Sequence, residues 1–353
     1  MRSVRTFTSS VLDPEERGTE FGRVHRDQVA RTVSAYRRLF LARALGPFDV
    51  DAWSERAWQS IRQLAPEAAA EIQGIADGAG LPVSHLAGIN ARTELLAIAN
   101  PIGVNECSTV VSLLPGRPPV AVQTWDWYDA MADLWLRWTI PHPDGRVVET
   151  VTEYGILGKI GVNRSGVGVL FNMLHHAADR AAGEREIGYP VHLLSRRILD
   201  EAQDLGQARK IAHPAATSAS TSLTLVHGGA AEGDAVSVEL FPGGPGSVEP
   251  TDGLLVRTNH FVSAEGADGC LADAIGPGSR IRRRTLLTTF ADRLPPTVDE
   301  VLTAMLDHRD VGGVCAHPDR SADPLLAHKT LATVSVDTTL GRLGVAAGGP
   351  CGR

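Results

Sequence analysis

In residues 21–40, "FGRVHRDQVARTVSAYRRLF", Val29, Val33, Tyr36 and Phe40 recur at steps of four, three and four, the period of one helix face. In "PEAAAEIQGIADGAG" (66–80), Pro66 takes a first-turn position, Ala68, Ile72, Ile75, Ala76 and Ala79 share a face, and Gly80 is a stop. "HLAGINARTELLAIA" (85–99) predicts a third helix, so the first hundred residues read as a helical layer that ends just short of Cys107. Beyond Cys107 the pattern changes to β-branched and aromatic runs broken by Gly, Asn and Asp, including "STVVSLL", "PVAVQTWDW", "RVVETVTEYG", "GKIGVN" and "GVGVLFNML". The turn "NRSG" (163–166) predicts a hairpin. Helices are expected again at 190–205, 280–294 and 297–306, the last opened by a Thr297 to Glu300 capping box. Further strands are expected in "STSLTLVHGG", "AVSVELF", "LLVRTNHF", "ATVSVDT" and "RLGVAAG", with "FPGGPGS" (241–247) as a loop. Antiparallel hairpins interleaved with helices predict an α+β protein of stacked sheets covered by helical layers, not a doubly wound parallel sheet.

Composition and charge narrow the function. The 353 residues are 43% hydrophobic with a net charge of -7, and "RIRRR" (280–284) is the only dense basic cluster. That cluster reads as a cap or flank of a helix, so no nucleic-acid partner is expected. "MRSVRTFTSS" lacks the apolar core of a signal peptide, and no run is long enough to span a bilayer. The expectation is a cytoplasmic protein with no membrane partner. Cys107, Cys270, Cys315 and Cys351 form no CxxC pair, which argues against a zinc knuckle or a redox motif, and each defaults to a small buried hydrophobe.

The common catalytic motifs are missing. "GVGVLF" lacks the third glycine of a dinucleotide fingerprint, and there is no P-loop, GxSxG elbow or HExxH. His175 and His176 would point to opposite faces of a strand, poor geometry for one metal. A metal hydrolase using His175, His176 or His317 is a remote reading that predicts chelator sensitivity, and neither metal nor cofactor is expected. What remains is Cys107 at the start of a strand. A thiol needs a base to become an effective nucleophile. Were the bond before Cys107 cut, the freed α-amine, with a pKa of about 8, would sit on the same residue and could serve. A structural cysteine is the alternative.

The segments "GIADGAG", "INARTEL", "NECST", "QTWDW", "GKIGVNRSGVGVLFN", "RTNHF" and "ATVSVD…LGVAAGGPC" together resemble the acyl-coenzyme A:6-aminopenicillanic acid acyltransferase (isopenicillin N acyltransferase-like) family of N-terminal nucleophile hydrolases. The resemblance runs from about residue 15 to the end. It implies a four-layer αββα sandwich made as a precursor that cuts itself between Glu106 and Cys107. Residues 1–106 would become an N-terminal helical segment and 107–353 the catalytic core, the two staying associated as partners. Glu106 departs from the glycine of the penicillin-pathway enzyme.

By the same resemblance Cys107 is the nucleophile, Asp126 orients its α-amine, and Asn259 and Asn172 serve the oxyanion site. Each also has a plainer reading: Asp126 and Asn259 as turn residues, Asn172 as a strand-end asparagine. Trp125 and Trp127, two apart on one strand face, are core residues or an apolar wall for an acyl chain. His260 and Ser335 are weaker substrate-binding candidates. Arg92 and Glu94, two apart on a helix, do not face one another and read as structural. The implied function is acyl transfer or amide hydrolysis on a small metabolite through a Cys107 thioester, with an acyl donor and acceptor as partners and a coenzyme A thioester as one candidate donor. The alternative from another class is an unprocessed, non-catalytic binding scaffold.

Overall fold

A computed structural model describes residues 3–100, 107–228, 232–319 and 321–352. The N-terminal segment contains β1 (Thr6–Thr8), α1 (Pro14–Val24), α2 (Arg26–Arg43), α3 (Val50–Leu64), α4 (Pro66–Ala79), α5 (Val83–Asn90) and α6 (Arg92–Ala99). Then come β2 (Ser108–Ser112), β3 (Val120–Tyr128), β4 (Trp135–Pro141), β5 (Val147–Glu153), β6 (Ile160–Asn163) and β7 (Val167–Met173). After α7 (Asp179–Arg185), α8 (Val191–Glu201) and α9 (Leu205–Ala212) follow β8 (Thr221–Gly228), β9 (Gly233–Leu240), β10 (Gly246–Val248) and β11 (Leu254–Arg257). The chain closes with α10 (Ala272–Ile275), α11 (Gly278–Thr289), α12 (Val298–Ala304), β12 (His328–Asp337) and β13 (Arg342–Ala347).

The strands form two sheets, one of eight in the order β1-β4-β5-β6-β7-β8-β9-β10 and one of five in the order β11-β2-β3-β12-β13. They face each other, and Gln123 on β3 joins them: its amide donates to the Phe171 carbonyl on β7 and accepts from the Phe171 amide at 2.9 Å. Helices α8 and α9 cover the eight-stranded sheet and α11 and α12 the other. Leu286, Phe290 and Val301 pack there on Val110, Val122, Leu254 and Val256. The expected four-layer αββα arrangement is present. No described helix is long and apolar enough to cross a membrane.

Local signals hold where one short segment decides the geometry. Gly80 ends α4 at φ +69°, Gly166 turns the β6–β7 hairpin at φ +84°, and the Thr297 side chain accepts from the Glu300 amide at 3.3 Å. Three described strands lie outside the runs read from the sequence. β1 is a three-residue edge strand, paired in parallel with β4, inside a segment that otherwise reads as helical. β4 alternates, with Leu136, Trp138 and Ile140 buried against half-buried Arg137 and Thr139, but it lies outside the runs read as strands above. β10 takes up Gly246 and Ser247 of the expected loop. The long first helix is broken at His25 and the third at Ala91, giving α1–α2 and α5–α6.

"GIADGAG" acquires a reason from packing. A Cβ on Gly74 would stand 2.0 Å from the Glu15 carbonyl oxygen, and one on Gly18 2.1 Å from that of Glu71, so α1 and α4 touch backbone to backbone. Beside this contact, Arg17 of α1 grips Glu71 of α4 at 2.8 and 2.9 Å, and Arg196 of α8 reaches the same carboxylate at 3.0 Å. Arg196 also holds Asp200 at 2.8 Å. The helical segment is therefore clamped to the core by buried charge as well as by apolar packing.

Candidate functional site

Strands β2 and β3 pair antiparallel with Ser108 opposite Thr124, so the returning strand brings Asp126 beside Cys107 despite their separation in sequence. The Cys107 thiol, 6% exposed, lies 3.6 Å from the Asp126 carbonyl oxygen. Asn172 on β7 donates from Nδ2 to the Cys107 carbonyl at 3.2 Å, and its Oδ1 accepts from the Thr109 hydroxyl at 2.7 Å. Asn172 thus fixes the backbone that carries the thiol. Glu106 and the bond ahead of Cys107 lie outside the described residues.

A narrow cavity opens at the thiol, lined by Arg92, Cys107, Asp126, Trp127, Lys159, Phe171, Met173 and Asn259. The space open to the centre of a water molecule is about 10 Å³, roughly what a single water needs. An acyl group would have to widen it. Trp127 forms part of the wall, whereas Trp125 is fully buried against Trp135, with ring centroids 6.0 Å apart.

The charges around the thiol explain its state. Burial, reinforced by the Asp126 carboxylate, pushes the Cys107 thiol up to about 11, while Lys159 and Arg282 pull the other way. In this environment the thiol is therefore protonated at neutral pH. Burial and the Arg92 guanidinium push Lys159 down to about 7. Its ammonium group sits 4.3 Å from the Trp125 ring centroid, so the aromatic faces stabilise the cation only in part. Arg92 is held by Glu153 at 3.0 Å and lies 4.3 Å over the Trp127 ring. Tyr36 completes this group, accepting from the Trp127 indole at 2.8 Å and donating to Glu153.

Asn259 follows β11 and contributes a side-chain amide to the cavity. Its Nδ2 donates to the Met173 carbonyl at 2.9 Å, leaving one N–H of that amide for a further acceptor. Its Oδ1 accepts from Arg282 at 2.8 Å, and Arg282 also donates to the Ser108 hydroxyl at 3.1 Å. Arg282 thereby fixes which way the amide points. Were this donor to serve a developing oxyanion, Asn259→Ala would lower kcat by about 100-fold with KM little changed. Steady-state kinetics at saturating substrate check this, and an unchanged kcat would remove Asn259 from the oxyanion site.

Other expected residues lie elsewhere. His260 contacts Ser279 Oγ at 2.8 Å and is pushed down to about 3, chiefly by burial and then by Arg257, so it is neutral and does not line the cavity. Ser335 pairs with Val122 and Gly344, three positions along β12 from Ala332, the partner of Trp125, and is likewise outside the lining. Glu94 accepts from the Val191 amide at 2.9 Å and is structural. Arg92, read as structural from sequence, reaches the cavity. Lys159 and Arg282 were not singled out from the sequence at all. The available signals were a lysine between glycine and an apolar strand in "GKIGVN", and one arginine of "RIRRR" falling on the inner face of α11.

Residues 120–340 match the family described as acyl-coenzyme A:6-aminopenicillanic acid acyl-transferase. The match takes in Asp126, Lys159, Asn172, Asn259 and Arg282 and begins beyond Cys107. The chain is 32% identical over 209 residues to the 40 kDa form of acyl-coenzyme A:6-aminopenicillanic-acid-acyltransferase from Emericella nidulans, covering 59% of this chain and 56% of that one. It thus spans little more than half the length of that relative. Among solved structures, penicillin V acylase from Agrobacterium tumefaciens superposes with a TM-score of 0.40 at 13% identity, covering 68% of this chain and 83% of that one. A mutant conjugated bile acid hydrolase from Clostridium perfringens gives 0.39 at 10% identity, covering 68% and 92%. With more than half of its length matched, the chain belongs to the acyl-coenzyme A:6-aminopenicillanic acid acyl-transferase family.

Proposed function

We propose that this protein is a self-processing cysteine enzyme that transfers acyl groups through a thioester on Cys107. The observation that carries the reading is the convergence of Cys107, Asp126, Lys159 and Asn259 on one cavity in a chain of this family. In the first step the Cys107 thiol adds to the Glu106 carbonyl carbon. The C–N bond to Cys107 then breaks, leaving the acyl group on sulfur and a free α-amine on Cys107. Water hydrolyses the thioester, releasing Glu106 as a carboxylate and regenerating the thiol. In turnover the new α-amine, oriented by Asp126, takes the thiol proton, and the thiolate attacks an acyl carbonyl. Asn259 donates to the oxyanion, the leaving group departs, and water or an amine resolves the thioester. The acyl donor is a small amide or a coenzyme A thioester. Peptide mass spectrometry of the purified protein tests this: a fragment beginning at Cys107, and an acyl mass on Cys107 after brief exposure to a donor, are expected. A single chain of 37.5 kDa carrying no acyl adduct would leave the binding-scaffold reading in its place.

Before the cut no α-amine exists, and Lys159 is the neighbouring amine suited to accept the thiol proton. With its pKa near 7, the neutral fraction rises about fivefold between pH 6 and 7 and is nearly complete by pH 8. The sign follows from the lowered value: below pH 7 the lysine is an ammonium and cannot accept a proton. Processing of chain made by cell-free synthesis should therefore accelerate across that window, and Lys159→Met should lose the acceleration. An unchanged pH profile in Lys159→Met would rule Lys159 out as the base.

A further inference from the structure

Four residues outside the Cys107 cavity remain unassigned: His308, Cys315, His317 and Cys351. One ligand-competent atom from each lies within 4.8 Å of all the others. The Cys315 and Cys351 sulfurs are 3.5 Å apart, and His317 Nε2 is 3.9 Å from the first and 3.5 Å from the second. A tetrahedral zinc with Zn–S of about 2.3 Å and Zn–N of about 2.0 Å would set S···S near about 3.8 Å and S···N near about 3.5 Å. Three of the six ligand separations thus already match a filled site. A separation at the 4.8 Å limit would need to close by about 1.3 to 1.5 Å, and His308 is exposed on a loop after α12, where a side-chain rotation can supply it.

The backbone around the cluster is built to bring these groups together. Cys315 N donates to the Asp307 carbonyl at 3.0 Å, closing the loop that places His308 beside Cys315. Ala316 is fastened to Thr330 on β12 in both directions, at 3.0 and 3.1 Å. A Cβ on Gly349 would stand 2.4 Å from the Cys315 sulfur, so glycine at that point lets the C-terminal strand end approach and present Cys351. The sulfurs are not joined, since a disulfide requires about 2.05 Å. His175 and His176 take no part in the group.

We propose that His308, Cys315, His317 and Cys351 form a structural Cys2His2 site for a zinc ion. The four protein ligands fill a tetrahedral shell, which leaves no open position for substrate and makes the site a clip. Binding exchanges the two thiol protons for the metal, which holds both sulfurs as thiolates. The clip ties the residues after β13 to the loop between α12 and β12. That loop, with Ser279 and Arg282, walls a second cavity of about 500 Å³. Arg282 reaches from there to Asn259 and Ser108, so an ordered loop would steady one side of the Cys107 site.

The test uses the 353-residue protein, stripped by chelator under reducing conditions and titrated with Co²⁺ and then Zn²⁺. One Co²⁺ per chain should bind with a thiolate charge-transfer band and tetrahedral d–d absorption, and Zn²⁺ should bleach both stoichiometrically. The Cys315→Ser/Cys351→Ser variant should lose the band and at least 100-fold in Zn²⁺ affinity, while Cys270→Ser keeps both. Should the double variant fail to fold, Cys351→Ser, at the chain's last residues, supplies the same comparison. Absence of a charge-transfer band in the parent protein would overturn the proposal. So would its persistence in the double variant, an undiminished band and Zn²⁺ affinity in Cys351→Ser, or a Cys315–Cys351 disulfide in protein purified without reductant.

Discussion

Cys107→Ala is expected to remain a single uncut chain and to lose acyl transfer by at least about three orders of magnitude, the scale on which removal of a covalent nucleophile is felt. On the proposed mechanism one sulfur serves two reactions. Without it the Glu106 carbonyl has no intramolecular attacker, and no thioester can form in turnover. The cavity gives no second thiol: its other groups are a carboxylate, a guanidinium, the Lys159 amine, an amide and apolar walls. Cys107 lies in the core between the sheets, and the change removes only a sulfur, so the fold should survive with a cost of about 1 kcal/mol. Denaturing electrophoresis and an acyl-release assay read the outcome. Cleavage of Cys107→Ala at the same bond would end the self-processing proposal, and full activity would end the nucleophile assignment.

Glu71→Ala is the corresponding expectation for stability, a loss of about 3 kcal/mol or more. The carboxylate is 3% exposed and holds both Arg17 and Arg196, themselves 3% exposed. Its removal leaves Arg17 with the Leu12 carbonyl at 2.8 Å and Arg196 with Asp200, so a buried guanidinium loses its counter-charge. The cost is the uncompensated charge, not the lost attraction. Urea unfolding should show a lower midpoint at unchanged slope, and Glu71→Leu combined with Arg17→Met should recover much of the loss. A loss under about 1 kcal/mol would show the network to be dispensable. Because Arg17 and Glu71 precede Cys107 and Arg196 follows it, the same variant should release the N-terminal fragment more readily from any processed protein.

The parts of the fold written in local pattern are visible in the sequence. Apolar steps of three and four placed α2 and α4, "NRSG" placed the β6–β7 hairpin, and Thr297 placed the start of α12, because each depends on residues within a few positions of one another. Cys107 stood out at the start of β2, and ordered motifs pointed to the family. The three-residue edge strand β1 was not visible, because its pairing with β4, not its own alternation, makes it a strand, whereas the alternation of β4 from Leu136 to Ile140 is there to be read in the sequence.

The chemistry divides in the same way. The sequence by itself determined which residue types are present and that one cysteine opens a strand, and its ordered motifs pointed to Asp126 only through the family resemblance. Only the tertiary structure brought Lys159 and Arg92 over the same tryptophan, Trp127, turned Arg282 inward to aim Asn259, and left His260 and Ser335 outside the cavity. It also united Cys315 with Cys351, which no CxxC spacing announces. The physical reason is the same in each case: a side chain's charge state and partners are set by what packs around it, and those neighbours arrive from strands and loops that sequence spacing does not relate.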